Sequence, residues 1–309
     1  AEGRRLGDPE TVHYGLVPRS NRGIFSVNEL PDLAERIQVA LLNVLEERDI
    51  QIRGYQLRLP LDIILIASAN PEDYTNRGRI ITPLKDRFGT EIRTHYPLRL
   101  HDEIRLIKQE SVLGSATVPE HLVEVIARYT RAVREAPQVD ARSGVSARFA
   151  IAATETVAAS ATRRAAICGE DAAVARVVDL PGVVPAARGK VEFDQLEEGR
   201  EQEVLAHLLR RAVADTYRAR LAGVDLSGLL ARFEDGATVE TGELVPANDV
   251  LARIGPVRGL SPILERLGVE AGEESPAVVA AALEFALEGL HLNKRLAKDE
   301  LPGRTVYGG

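Results

Sequence analysis

The chain has 309 residues, a formal charge of -7 and 45% apolar content, enough for two or three domains with ordinary packed cores. The acidic balance excludes a surface built throughout to neutralise phosphate backbones, so nucleic acid is not the default partner, although a local basic groove stays open. One cysteine, Cys168, excludes an internal disulfide framework and a cysteine-built metal site.

No apolar run is long enough to cross a bilayer, and the first residues lack the apolar segment of a secretory signal. A soluble cytoplasmic chain with no membrane partner is therefore expected. Methionine is absent, at position 1 as elsewhere, and a fragment of a longer protein is the expectation.

Residues 1–22 are rich in Gly, Pro, Arg and Asn, and read as loop with at most a short extended piece. Residues 24–27 (IFSV) are a short apolar run of the kind a buried parallel strand uses, ending in the polar pair Asn28 and Glu29. From Pro31, apolar residues at Leu33, Ile37, Leu41, Val44 and Leu45 recur at helical spacing and predict a helix packed on the sheet. Residues 50–58 alternate around Gly54 and Tyr55, predicting a β-hairpin from which Arg53 and Arg58 project. Residues 61–69 are the most apolar strand candidate, suited to a central parallel strand, and Asn70 and Pro71 stop it. A short helix is predicted over 83–88 and another strand over 91–94. Strand, helix, strand, helix, strand implies an α/β sheet. Ligands bind in the crevice beyond the carboxyl ends of such strands, where Glu29 and Asn70 fall.

Beyond residue 97 the pattern becomes helical, over 101–110, 119–135 and 145–167, with no strand intervening. Ser143 and Ser146 stand in capping positions for the last of these helices, which places Arg148 in its first turn. Residues 170–198 read as irregular, 201–221 as an amphipathic helix, 222–275 as short broken pieces and 275–296 as a closing helix. The expected organisation is a partial α/β core over 1–98, an all-α lid over 99–169 and a mainly helical C-terminal region over 170–309 without an assignable motif.

Hydrolysis of a phosphoanhydride needs an oriented water, a neutralised phosphate tail and a positive charge that arrives at the transition state. Glu29 is the candidate to polarise that water, with a capping or solvated carboxylate as the alternative. Asn70 is the candidate to hold the water or the γ-phosphate, with an Asx-turn residue before Pro71 as the alternative. Arg87 offers a fork of donors suited to phosphate oxygens, with an exposed salt bridge as the alternative. Arg53, Tyr55 and Arg58 are either a substrate-gripping tip or ordinary solvated residues. The six histidines show no ligand spacing and are expected on surfaces or helix faces, and Cys168 reads as a small buried residue.

The segments RGIFSVNELPDL, SANPEDYTNRGRIITPLKDRFG and SGVSAR, with the hairpin between the first two, resemble the AAA+ ATPases of the magnesium chelatase subunit I and MoxR group. The resemblance implies the C-terminal part of a parallel-sheet P-loop core followed by an all-α lid, with ATP and Mg2+ as cofactors. By residue, Glu29 matches the catalytic glutamate, Asn70 sensor 1, Arg87 the arginine finger and Arg148 sensor 2, with Arg77 and Arg79 as rival fingers. Asn28 stands where the group has its magnesium-supporting aspartate, which implies a metal held more weakly, or through water, by Asn28 and Glu29. A finger that serves a neighbour's nucleotide implies a self-assembled ring, usually of six. No GxxxxGK[ST] stretch occurs in the sequence, and a truncation ahead of residue 1 is the expectation. The implied function is an ATPase that remodels, or loads metal into, an unidentified protein substrate or co-subunit. A non-hydrolysing structural subunit and a DNA-directed motor or transcription activator of the same fold are the alternatives.

Overall fold

The computed structural model describes residues 13–51, 58–70, 79–140, 144–193, 199–234, 236–269, 275–301 and 303–308. The chain divides into two compact units, Ala1–Thr94 and His95–Gly309.

In the first unit a helical turn, α1 (Leu16–Arg19), replaces the loop expected there. Strand β1 (Ile24–Val27) pairs in parallel with β4 (Ile64–Ala67), Ile24 opposite Ile64 and Val27 opposite Ala67. After β1 the chain makes a 3-10 turn (Leu30–Asp32) and enters α2 (Glu35–Glu47). Strands β2 (Asp49–Gln51) and β3 (Arg58–Pro60) pair antiparallel, as the predicted hairpin requires. Its tip, with Arg53 and Tyr55, lies outside the described residues, as does the side chain of Arg58. Helix α3 (Thr82–Arg87) carries Leu84 into the core formed by Val27, Leu30 and Leu41.

Two expectations fail in this unit. The strand predicted over 91–94 does not form, because residues 90–97 have no regular structure and Ile92, the one apolar residue of that run, is 83% exposed. Strand β4 is not buried on both sides. Phe25, Val27, Leu65 and Ala67 face the helices, whereas Ile24 and Ile64 are each 63% exposed and Ile66 is 51% exposed.

The second unit opens with α4 (Leu100–Glu110), α5 (Glu120–Glu135) and α6 (Ala147–Cys168), close to the helices expected. The stretch read as irregular instead holds a 3-10 helix (Val177–Gly182) that runs into α7 (Val183–Arg188). Leu180, Val183, Val184 and Ala187 do have helical spacing, but Pro181 and Gly182 disguise it. Next come α8 (Glu201–Arg220), α9 (Ser227–Glu234), β5 (Val239–Gly242), α10 (Ala247–Ile254), α11 (Leu260–Arg266) and α12 (Pro276–Leu292). The chain then forms β6 (Ala297–Leu301) and β7 (Arg304–Gly308). These two strands and β5 make an antiparallel sheet in the order β5-β7-β6, an addition to a C-terminal region that is mainly helical, as expected.

One hydrophobic core runs through helices on both sides of residue 170, joining Leu122, Ile126, Val157, Leu205, Leu209 and Leu287. Arg164, 1% exposed, is buried beside it. Its guanidinium donates to the carboxylates of Asp179 and Glu170 and to the Val174 carbonyl, so that the charge is neutralised and most of its donors are used. Helices α8 and α12 approach closely at Gly289, where an added Cβ would lie 1.9 Å from the Tyr217 ring.

Candidate functional site

Because β1 and β4 are parallel and end at the paired residues Val27 and Ala67, Asn28, Glu29 and Asn70 all leave the sheet at one edge. Ser68, which the sequence reading passed over, ties the two strand ends together. Its amide donates to the Val27 carbonyl at 2.9 Å, and its own carbonyl accepts from the Leu30 amide at 2.9 Å. Its Oγ accepts from the Glu29 amide at 3.2 Å and donates to Asn28 Oδ1 at 3.3 Å.

Glu29 has left-handed backbone geometry, φ 54° and ψ 53°, at the point where the chain leaves β1 for the 3-10 turn. A residue with a Cβ costs about 1 kcal/mol there. The conformation is over-determined by Ser68 above it and by Leu30, 2% exposed, below it. Glu29 itself is exposed, as are Asn28 and Asn70. These are hard oxygen donors of the kind that suit Mg2+ or an attacking water. The described residues contain no group of three or more His, Cys, Asp or Glu able to hold a metal ion by themselves. The edge thus fits the metal side and the water side of a nucleotide site, whereas a cradle for the phosphates is not encoded in the sequence.

Arg87, the last residue of α3, turns to α2 and donates from Nη2 to Glu46 Oε1 at 2.5 Å, with the two side chains 48% and 47% exposed. What aims α3 is Gln38, a second residue the sequence reading missed, which is 1% exposed. Its Nε2 donates to the carbonyls of Leu33 and Arg79 at 2.9 and 3.1 Å, and its Oε1 accepts from the Ile81 amide at 2.9 Å. Of the rival fingers, Arg77 lies outside the described residues.

Arg148 belongs to the second unit, exposed in the first turn of α6. Ser146 is the N-cap residue but its side chain makes no capping bond, contrary to expectation, and Ser143 is not among the described residues. The start of α6 is fixed otherwise. Arg134 donates to both oxygens of the buried Glu103 at 2.6 and 2.9 Å and to the Val145 carbonyl at 2.8 Å, and stacks 4.1 Å from the centre of the Tyr96 ring. Tyr96 in turn closes on Gly144 (φ 66°), where a Cβ would meet the Tyr96 hydroxyl at 2.7 Å.

Of the two placements expected for the histidines, surface or helix face, His121 takes the second, on the buried face of α5. His121 is fully buried against Phe285, with Nδ1 3.1 Å from the Leu267 carbonyl, and burial pushes its pKa down to about 4. Cys168 is half-buried with Sγ 3.7 Å from the Glu243 carbonyl, and burial pushes the thiol pKa up, which suits packing better than nucleophilic attack. Among the described residues no helix is long and apolar enough to cross a membrane.

Two parallel strands thus send a glutamate and an asparagine from one edge, and a helix ending in arginine follows them. Residues 7–87 match the family model described as the Sigma-54 interaction domain. Over 95 residues the chain is 30% identical to the magnesium-chelatase 38 kDa subunit of Cereibacter sphaeroides, which covers 30% of this chain and 27% of that protein. It is 28% identical over 123 residues to the magnesium-chelatase subunit ChlI of Porphyra purpurea, covering 39% of this chain and 28% of that one. It is 34% identical over 102 residues to the acetoin dehydrogenase operon transcriptional activator AcoR of Bacillus subtilis, covering 32% and 16%. The first unit is thus similar, over the matched stretch, to magnesium-chelatase subunits and to a transcriptional activator. The matched stretch spans about a quarter of the length of the chelatase relatives.

Proposed function

We propose that the chain is part of an AAA+ ATPase of the magnesium chelatase and MoxR kind, which couples ATP hydrolysis in a ring of six copies to the remodelling or metal-loading of a partner protein. The observation that supports this best is the parallel pairing of β1 with β4, which delivers Glu29 and Asn70 to one sheet edge. In this reading Glu29 polarises the attacking water, Asn70 orients it, and Asn28 with Glu29 supports the metal through water. ATP supplies the phosphoanhydride and Mg2+ offsets its charge. Arg87 serves the nucleotide of the neighbouring copy, and Arg148 takes the part of sensor 2.

The test is ATP turnover by a polypeptide that carries a phosphate-binding loop ahead of this chain. Glu29→Gln and Arg87→Ala are each expected to lower turnover at least about a hundredfold. Mixing the two variants should restore part of it, because one intact site forms where Glu29 of one copy meets Arg87 of another. Undiminished turnover in either variant would sink the assignment.

A second reading is favoured by the Sigma-54 interaction domain match and by the AcoR likeness. In it the same ATPase acts on sigma-54 RNA polymerase. Nucleotide-dependent binding of purified sigma-54 would select this reading, and its absence would select the protein remodeller.

A further inference from the structure

The second unit contains an open pocket of about 420 Å³ lined by the 3-10 helix, α8, α12 and the C-terminal sheet. Its walls are largely apolar, with Val178, Leu180, Leu209 and Val213 among them. Helix α12 adds two carboxylates one turn apart, Glu284 and Glu288, in a sequence otherwise dominated by Ala, Val and Leu.

The two carboxylates are not equivalent. Glu288 is partnered, by the Tyr307 hydroxyl at 2.5 Å and by Lys298 Nζ at 3.1 Å. Glu284 is 1% exposed, and neither of its oxygens accepts a hydrogen bond. Thr241 shares the cavity wall and lies beside Glu284. Arg176 forms an ion pair with Glu284 at 3.5 Å through Nε without hydrogen-bond geometry; its Nη2 is committed to the carbonyls of Val245 and Gly242, and its Nε and Nη1 are themselves without hydrogen-bond partners. A buried carboxylate with unused lone pairs is costly, and the cavity is the side from which donors can come.

We propose that this cavity binds an organic cation, an ammonium or guanidinium group on an apolar stem, whose N–H donors take the free lone pairs of Glu284. The stem lies against Val178, Leu180, Leu209 and Val213. The volume suits a small molecule or one long side chain. A free amine and a lysine or arginine side chain of a polypeptide present the same chemistry. The site lies within the second unit and does not rest on the nucleotide chemistry.

The experiment is calorimetric titration of the full chain with 4-phenylbutylamine, with 4-phenylbutanol as its neutral counterpart, and with a short lysine peptide against its norleucine equivalent. At least one cationic probe is expected to bind about tenfold or more tightly than its neutral counterpart. Glu284→Gln, nearly the same in shape, should erase that preference and leave the neutral probe unchanged. Leu301→Trp alters a cavity-wall residue that is 44% exposed, so the fold tolerates it, and it should weaken both members of the pair by blocking entry. Preference for the amine over the lysine peptide assigns a small-molecule ligand, and the reverse assigns a polypeptide side chain. Equal binding of cationic and neutral probes, a preference that survives in Glu284→Gln, or no saturable binding by any probe would overturn the proposal and leave trapped water as the partner of Glu284.

Discussion

Glu29 combines an exposed carboxylate with a backbone conformation that favours glycine. Glu29→Gly is therefore expected to slow hydrogen exchange of the β1 and β4 amides, reflecting up to about 1 kcal/mol of relieved strain, while turnover is lost. A stabilised but inactive variant separates the two roles of the position. Arg87 and Glu46 are both about half exposed, so their ion pair contributes less than about 1 kcal/mol. Arg87→Ala and Glu46→Gln should accordingly leave the melting temperature almost unchanged, and any fall in turnover then reflects lost chemistry rather than lost fold. The placement of Glu29 and Asn70 at the strand ends was legible in the sequence because each follows an apolar run. Ser68 and Glu46 were not, since their importance comes from partners some forty residues away, Asn28 and Glu29 for one and Arg87 for the other.

At the scale of elements, two close fits carry predictions. Gln38 supplies three hydrogen bonds to backbone groups, linking α2 to the approach to α3. Gln38→Leu keeps the bulk but strands those groups, and should destabilise the first unit by about 2 to 3 kcal/mol in urea unfolding. Gly289→Ala places a methyl group inside the Tyr217 ring contact, and the rigid backbones of α8 and α12 must part to admit it. A loss of about 2 kcal/mol or more in the second unit is expected from the same measurement. Long helices were readable because their apolar residues repeat over many turns, as in α5 and α8. The C-terminal sheet was not, because VETG, AKDEL and RTVYG carry too few apolar residues for a period to show, and these strands are defined by distant pairing.

For the molecule as a whole, the acid response of the second unit is set in part by His121. Its pKa of about 4 in the folded state lies below the ordinary value of 6.5, so the unfolded chain takes up the proton first as pH falls. The stabilisation is complete above about pH 6.5 and shrinks on acidification, by about 2 to 3 kcal/mol at pH 4.5. Denaturant unfolding at pH 7 and pH 4.5 measures this, and His121→Phe should flatten the difference at some cost in absolute stability. A buried histidine looks like any other in a sequence, and its burial here depends on Phe285 and Leu267, both contributed from far along the chain.

The strand order β5-β7-β6 places the last strand in the middle of the sheet. A ribosome makes the chain from the other end. When β5 emerges, its pairing partner has not been synthesised, and α12 is complete before either neighbour of β7 can be zipped to it. Tyr307, which holds Glu288 in the cavity wall, is among the last described residues to be added. The second unit must therefore wait for almost its whole length before it can close, and a nascent chain stalled short of Arg304 would present α12 and β5 with the cavity wall still incomplete.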